Sequence, residues 1–150
     1  MIKMRRLEKN EELPYDLLLL ADETIDAIEQ YVHQSEVYMA EIEGEPMGVV
    51  CLYPVDARTV EIKKLAIAER YQGRGYGTLL MDGIKERVKK DHATMIVGTA
   101  DAGRRQIAFY EKNGFRKFGL KKNFFIDHYK APIYEDGVQL RDMVMLKLEL

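Results

Sequence analysis

Apolar and polar residues alternate in parts of the first third of the chain, in the pattern that is typical of strands, and helical segments lie between these parts. The stretch "IKMRRL" predicts a first strand, and helical segments follow around residues 14 to 20 and 23 to 32. The stretch "EVYMAEIEGEPMGVVCLYPV" predicts two strands around a turn that Gly-Glu-Pro at 44 to 46 marks. The chain therefore begins with a strand, two short helices and a β-hairpin.

The next apolar stretch, "TVEIKKLAIAE", changes phase in its middle. Its apolar residues keep the spacing of a strand up to Ile62 and again from Leu65, and Lys63 and Lys64 fill the slip between them. A β-bulge produces such a change of phase and re-aims the neighbouring side chains. An ordinary irregular strand fits the pattern equally well.

Helical periodicity appears after a group of glycines. Tyr76, Leu80, Ile84 and Val88 repeat every fourth residue and predict a helix of about four turns. The remaining elements are a strand, a helix that Gly114 ends, a strand and a final strand, predicted at "ATMIVGTA", "RRQIAFYEKNG", "FRKFGLKKNFFI" and "VQLRDMVMLKLEL". Interleaved strands and helices place the chain in the α/β or α+β class with a mixed sheet.

Composition fits one soluble globular domain over residues 1–150. The chain is 47% hydrophobic and 32% charged, and its longest apolar stretch, "DLLLLA", is far shorter than the roughly 20 residues that span a bilayer. The first residues lack the features of a secretory signal. We therefore expect no membrane partner.

Cys51 is the only cysteine, so no intrachain disulfide forms and a reducing cytoplasm is the simplest location. His33, His92 and His128 share no ligand spacing with Cys51, which argues against a zinc site. A formal net charge of −2 gives no general attraction to nucleic acid, and the basic stretch "KERVKK" suits a solvated helix end. No metal and no nucleic-acid partner are expected.

The glycines of "YQGRGYGTLL" stand where a helix must begin. The residue directly before Thr78 is Gly77 and not a lysine, which excludes the phosphate loop of a nucleotide triphosphatase. The spacing of the glycines does not match a dinucleotide fingerprint. Glycines at a helix start also expose backbone N–H groups that wrap a pyrophosphate, to which Arg70 and Arg74 would add charge. A flexible loop entering a helix is the alternative.

This loop resembles the acetyl-CoA pyrophosphate loop of the GNAT superfamily of N-acetyltransferases. Gln72, Gly75 and Gly77 occupy its Gln/Arg-x-x-Gly-x-Gly/Ala positions, and "IAFYEKNGF" resembles a later motif of the family. The resemblance implies a single-domain fold with a mixed, mostly antiparallel sheet of about six to seven strands and helices on both faces. It also implies that acetyl-CoA is the acyl donor, with no metal and no covalent enzyme intermediate.

The resemblance also implies roles for particular residues. Those expected to bind the cofactor are Leu65, Ala66, Ile67, Gln72, Gly73, Arg74, Gly75, Tyr76, Gly77 and Thr78. Glu61 matches a glutamate that serves as general base in the histone-acetylating branch, but it also fits a strand glutamate paired with Lys63 or Arg58. Tyr110 matches the tyrosine placed near the CoA sulfur as general acid, and it also fits a packing role.

One departure from the family pattern affects the cofactor contact. Many members carry an asparagine where this chain has Gly103, and Thr99 and Gln106 are both candidates to replace it.

The specificity for the acceptor is expected to lie in segments outside the shared core, which are residues 14 to 34 and the tail from Lys122. The acids within "DETIDAIEQY" are expected mostly on a solvated helix face. Phe124 and Phe125 are expected in the core or in a homodimer interface. A small primary amine of the polyamine or amino-sugar kind is the leading acceptor. A protein N-terminus or lysine is the rival, and a non-catalytic acyl-CoA sensor is the alternative from another class.

Overall fold

The computed structural model describes residues 2–150. Two compact units make up the chain: the first extends to Ala93 and the second is Thr94–Leu150. Each unit has its own antiparallel strands and its own helices.

The first unit is a four-stranded antiparallel sheet with three helices. Its elements are β1 (Ile2–Arg6), α1 (Tyr15–Leu18), α2 (Ile25–Glu29), β2 (Glu36–Ile42), β3 (Glu45–Pro54), β4 (Thr59–Ile67) and α3 (Tyr76–Val88), with 3-10 turns at Val32–Gln34 and Glu69–Tyr71. The strands pair in chain order from β1 to β4. Both early helices are shorter than the sequence predicts.

The β2–β3 hairpin is confirmed, but Pro46 does not mark its turn. The turn is made by Glu43 and Gly44, whose φ angles of 51° and 82° are both positive, as a tight two-residue hairpin requires. Pro46 lies inside β3 opposite Glu41, beside a shift in the strand register. An irregular ladder tolerates the missing N–H group of proline there.

Helices cover both faces of this sheet. On one face, Leu18 of α1 and Ile28 of α2 pack in a buried cluster with Val49 and Cys51 of β3. Burial raises the pKa of the Cys51 thiol to about 12, which keeps it protonated at neutral pH. On the other face, Leu80, Ile84 and Val88 of the predicted apolar stripe of α3 are buried whereas Tyr76 is only partly buried, and Leu80 approaches β3 at Gly48.

The second unit is built around its last strand. Its elements are β5 (Thr94–Ala100), α4 (Arg104–Lys112), β6 (Arg116–Lys121), α5 (Phe124–Asp127), β7 (Tyr134–Glu135), β8 (Val138–Gln139) and β9 (Met143–Glu149). The strand β9 pairs antiparallel with β5 on one side and with β6 on the other. As predicted, α4 ends just before Gly114, which has a φ of 98°.

Two strand predictions in this unit are wrong. The strand predicted over residues 115 to 126 stops at Lys121, because Asn123 turns left-handed with a φ of 57° and starts the short helix α5. The predicted final strand is divided in two, because Leu140 donates its N–H to the carbonyl of Ile133 at 2.8 Å instead of to a ladder partner. Its first part pairs only with β7, around a left-handed turn at 136 to 137.

The predicted class of a mixed α/β fold with mostly antiparallel strands is confirmed. Seven strands have five or more residues, and helices alternate with them along the chain. No helix within residues 2–150 is long and apolar enough to cross a membrane. The prediction of a single domain over 1–150 stays a prediction.

Candidate active site

The phase slip in β4 is a β-bulge, as the first of the two sequence interpretations proposes. Cys51 of β3 stands opposite Lys64, whereas the next residue, Leu52, stands opposite Ile62. Lys63 is therefore the extra residue. Because directly paired residues share a face of the sheet, Lys64 lies on the same face as Cys51, the face that α1 and α2 cover.

Glu61 lies on this face of β4, opposite Tyr53 of β3. Its carboxylate Oε1 is 3.1 Å from the Nζ of Lys63, and the Glu61 side chain is only 12% exposed, against 29% for Lys63. The Lys63 ammonium also lies 5.3 Å from the centre of the Tyr53 ring. The ion pair that the alternative interpretation of Glu61 expects is present, but on a carboxylate that is mostly buried.

A second ion pair stands beside the bulge and was missed in the sequence. Lys64 Nζ is 3.5 Å from Asp22 Oδ2, and the Asp22 side chain is 3% exposed. The Tyr31 hydroxyl donates to the same oxygen at 3.3 Å. Asp22 is thus an exception to the expected solvated helix face, because the bulge turns a lysine toward it. The two lysines at the phase slip were the signal that could have revealed this buried acid.

The glycine-rich loop connects the end of β4 to α3. The side-chain amide of Gln72 donates to the carbonyl of Ile67 at 2.8 Å, which fixes the start of the loop against the end of the strand. Gly73 and Gly75 have φ angles of 72° and 84°, which side chains rarely tolerate. A Cβ atom at either glycine would have no neighbour within 4 Å. The glycines therefore serve the backbone conformation and leave the space in front of the loop open.

The loop ends at the N-terminus of α3. The first helical hydrogen bond runs from the N–H of Leu79 to the carbonyl of Gly75 at 3.3 Å. The N–H groups of Tyr76, Gly77 and Thr78 precede that bond, and Gly75 supplies no side-chain cap. These amides and the positive end of the helix dipole form a site suited to an anion.

The two arginines near the loop differ in their partners. Arg70 is ion-paired with Glu45, and its guanidinium lies over the Tyr71 ring. Arg74 donates to the carbonyl of Arg70 at 3.3 Å and lies 5.5 Å from the centre of the Tyr76 ring. Arg74 therefore keeps a positive charge beside the loop, whereas the charge of Arg70 is offset.

The predicted cofactor residues of β4 run directly into this loop. Leu65, Ala66 and Ile67 pair with β3, and Ile67 stands opposite Gly48. A Cβ atom at Gly48 would lie 2.9 Å from the carbonyl oxygen of Ala66, so glycine is required for this close approach of the two strands. Glu61, the three strand residues and the loop thus follow one another along the first unit.

Tyr110 belongs to the second unit, on α4. Its ring is 8% exposed and makes edge contacts with Phe109 and Phe115 at centroid distances of 5.2 and 5.4 Å. Burial raises the pKa of its hydroxyl. Among residues 2–150 no fully buried side-chain polar atom lacks a hydrogen-bond partner. Tyr110 thus packs its ring while its hydroxyl stays protonated, which is the state that an acid needs.

Gly103, at the position of the family asparagine, is also in the second unit. A Cβ atom there would lie 3.0 Å from Gln106 Oε1 and 3.2 Å from Thr99 Oγ1. Both residues proposed to replace the asparagine therefore converge on this position. The glycine leaves room for their polar atoms, which a larger side chain would displace.

A groove of about 700 Å³ in the first unit meets the predicted site only at Tyr76. It lies between β1 and α3 and is lined by Ile2, Met4, Ile42, Tyr76, Leu79, Gly83, Glu86, Arg87 and Lys90. None of the other predicted site residues lines it. Over the described part of the chain, no group of three or more His, Cys, Asp or Glu side chains is placed to hold a metal ion.

Known proteins resemble this chain over nearly its whole length. The family model described as Acetyltransferase (GNAT) family matches residues 3–115. An uncharacterized N-acetyltransferase, YvbK of Bacillus subtilis (strain 168), is 40% identical over 144 residues, which are 95% of this chain and 92% of that protein.

Crystal structures extend the similarity to the fold. A GNAT family acetyltransferase from Elizabethkingia anophelis with acetyl-CoA bound is 38% identical, with a TM-score of 0.95 over 99% of this chain and 98% of the other. A Bacillus subtilis acetyltransferase in complex with CoA is 36% identical, with a TM-score of 0.88 over 100% and 99%.

Proposed function

This chain belongs to the acetyltransferase (GNAT) family, and from that premise we propose that it acetylates a small-molecule primary amine. Acetyl-CoA is the acyl donor of this N-acetyltransferase. The main support for this proposal is the conformation of the loop from Gln72 to Thr78. The loop has left-handed glycines and presents backbone amides at the start of α3.

The proposed reaction is a direct attack of the amine on the thioester. An alkylammonium first loses a proton, because its lone pair is otherwise blocked. The amine nitrogen then forms a bond to the carbonyl carbon, the carbon–sulfur bond breaks, and the sulfur leaves with the electron pair as CoA thiolate. The thiolate takes up one proton, so the products are the acetamide, CoA with a free thiol and one released proton.

We assign a role in this sequence to each candidate residue. The amides of Gly73 to Thr78 and the charge of Arg74 bind the pyrophosphate, and Leu65, Ala66 and Ile67 line the adjoining part of the cofactor. Glu61 accepts the proton of the amine. Tyr110 donates a proton to the sulfur, for which burial keeps its hydroxyl in the protonated form.

The accessibility around Glu61 supports a small acceptor over a protein. Its side chain is 12% exposed and that of Lys63 is 29% exposed, so the carboxylate is mostly covered by its neighbours. A small amine reaches such a covered group more readily than a peptide chain does. We place the enzyme in the cytoplasm because its single cysteine requires no oxidising compartment. A homodimer remains part of this proposal.

The Glu61→Gln variant tests the proposed base. The glutamine keeps the size of the side chain but cannot take up a proton, and water can relay the proton in its place. We therefore expect kcat/KM to fall about tenfold at pH 7. The loss should shrink as the pH approaches the pKa of the amine, because the acceptor then arrives deprotonated.

Thiol release from acetyl-CoA across a panel of small amines and peptides, at pH 7 and pH 9.5, measures both effects. Glu86→Gln is the matched control, since Glu86 is exposed on α3. A Glu61→Gln enzyme with wild-type rates at pH 7 would remove Glu61 from the mechanism. Release with peptides alone would contradict the small-molecule acceptor.

A further inference from the structure

We propose that the acceptor is a primary amine that also carries a carboxylate, such as an amino acid, and that Glu61 and Lys63 hold its two charges. This inference rests on the proposed function and specifies its acceptor. It begins with the bulge in β4, where Lys63 is the extra residue. Glu61 and Lys64 lie on the same sheet face as their partners Tyr53 and Cys51, and Lys63 contacts the Glu61 carboxylate on that face.

The two lysines have different tasks. Lys64 is 3.5 Å from an Asp22 carboxylate that is 3% exposed, so it ties the segment between α1 and α2 to β4. Removing Lys64 would take the positive charge away from the buried Asp22 carboxylate. Lys63 and Lys64 are similarly exposed, at 29% and 26%, but the partner of Lys63, Glu61, is 12% exposed and the partner of Lys64 only 3%, so the Lys63 pair is the one within reach of a ligand. Lys63 is therefore the cation that an acceptor meets.

Glu61 and Lys63 together offer one negative and one positive group, 3.1 Å apart. An amino acid presents the opposite pair at a similar spacing. Its ammonium would bind the Glu61 carboxylate while its carboxylate binds the Lys63 ammonium, which closes a ring of four alternating charges. Without a ligand, the charges of the two side chains neutralise each other, as in the ion pair that the structure shows.

An amine without a carboxylate fits this pair less well. Its ammonium would compete with Lys63 for Glu61 and would be repelled by the lysine, and partial burial strengthens that repulsion relative to water. Polyamines, which add further positive charges, would be the poorest acceptors. The pair thus selects against the simple amines that the sequence favoured.

The first test compares acceptors that differ only in the carboxylate. Thiol release is screened with the twenty standard amino acids, and the best acceptor is then compared with its amide and with its decarboxylated amine. The amine of the amide is the least basic of the three, so it would react fastest if the carboxylate were not recognised. We expect the amino acid to have a kcat/KM at least about tenfold above both analogues.

The second test removes the cation. Lys63→Gln should raise the KM for the amino acid about tenfold and lower the KM for its amide, because the amide no longer competes with a lysine for Glu61, whereas Lys63→Arg should keep the preference. A purely structural ion pair would move both acceptors equally. Lys89→Gln is the matched control, because Lys89 forms an exposed pair with Glu86 at 2.9 Å and should change neither KM.

Calorimetry of the amino acid on CoA-saturated protein provides a readout without turnover. Equal or faster reaction of the amide, unaffected by Lys63→Gln, would overturn the inference and leave the proposed function standing. Absence of thiol release from every small amine would contradict the proposed function instead. The calorimetric affinity then decides the inference, which an undetectable affinity, or one that Lys63→Gln does not weaken, overturns.

Discussion

Gly75→Val is expected to raise the dissociation constant for acetyl-CoA on the order of 100-fold. Gly75 has a φ of 84°, a left-handed conformation that costs a side-chain-bearing residue about 1–2 kcal/mol. The space in front of its Cα is open, with no neighbour within 4 Å of an added Cβ. A valine would project into this space, where the pyrophosphate has to approach the backbone amides, so strain and obstruction act together.

The control for Gly75→Val is Gly137→Val. Gly137 has a φ of 80° and is equally open, but it lies in the β7–β8 turn of the second unit. Both variants should lose a similar amount of thermal stability, and only Gly75→Val should lose acetyl-CoA affinity by calorimetric titration. Gly75→Ala, which keeps the strain with a smaller side chain, should fall between wild type and Gly75→Val. Wild-type affinity in Gly75→Val would refute the loop assignment.

Tyr110→Phe is expected to lower kcat on the order of 100-fold while the acetyl-CoA dissociation constant changes less than about threefold. Phenylalanine preserves the edge contacts of the ring with Phe109 and Phe115. Only the hydroxyl, and with it the proton for the leaving sulfur, is lost. Tyr134→Phe is the control, since Tyr134 is 62% exposed on β7 and should behave as wild type.

The pH dependence of the wild-type enzyme follows from the burial of Tyr110. Because burial raises the pKa of its hydroxyl, the acid stays protonated in the folded state above pH 10, where an ordinary tyrosine ionises. The contribution of the Tyr110 hydroxyl to the free energy of unfolding is present below about pH 10. It is lost as the pH rises further, since the unfolded chain then releases the proton more readily.

Steady-state kinetics of Tyr110→Phe would exclude the acid role if kcat matched that of wild type.

Where local pattern determines structure, the sequence was sufficient. The period of Tyr76, Leu80, Ile84 and Val88 predicted α3. The phase slip at the two lysines indicated a bulge in β4 as one of two interpretations. The glycine spacing also indicated the loop, because a left-handed backbone at Gly73 and Gly75 leaves little choice of residue. Each of these features depends on residues that are neighbours in the chain.

Features that depend on distant partners could not be predicted. Asp22 is buried because Lys64, forty-two positions later, turns toward it at the bulge. The helix α5 replaces a predicted strand where the Asn123 N–H binds the Asp142 carboxylate at 2.8 Å. The proposed acceptor pair shows the same limit: the sequence gives the charges of Glu61 and Lys63, but the bulge and the burial of the carboxylate make them a site.

The proposed function requires that the loop amides close on the pyrophosphate of acetyl-CoA. Amide hydrogen exchange of the wild-type protein, measured with and without saturating acetyl-CoA, tests it at the residues concerned. Bound acetyl-CoA should slow exchange at the amides of residues 73 to 78. Binding of acetyl-CoA that slows exchange elsewhere and leaves these six amides unchanged would contradict it.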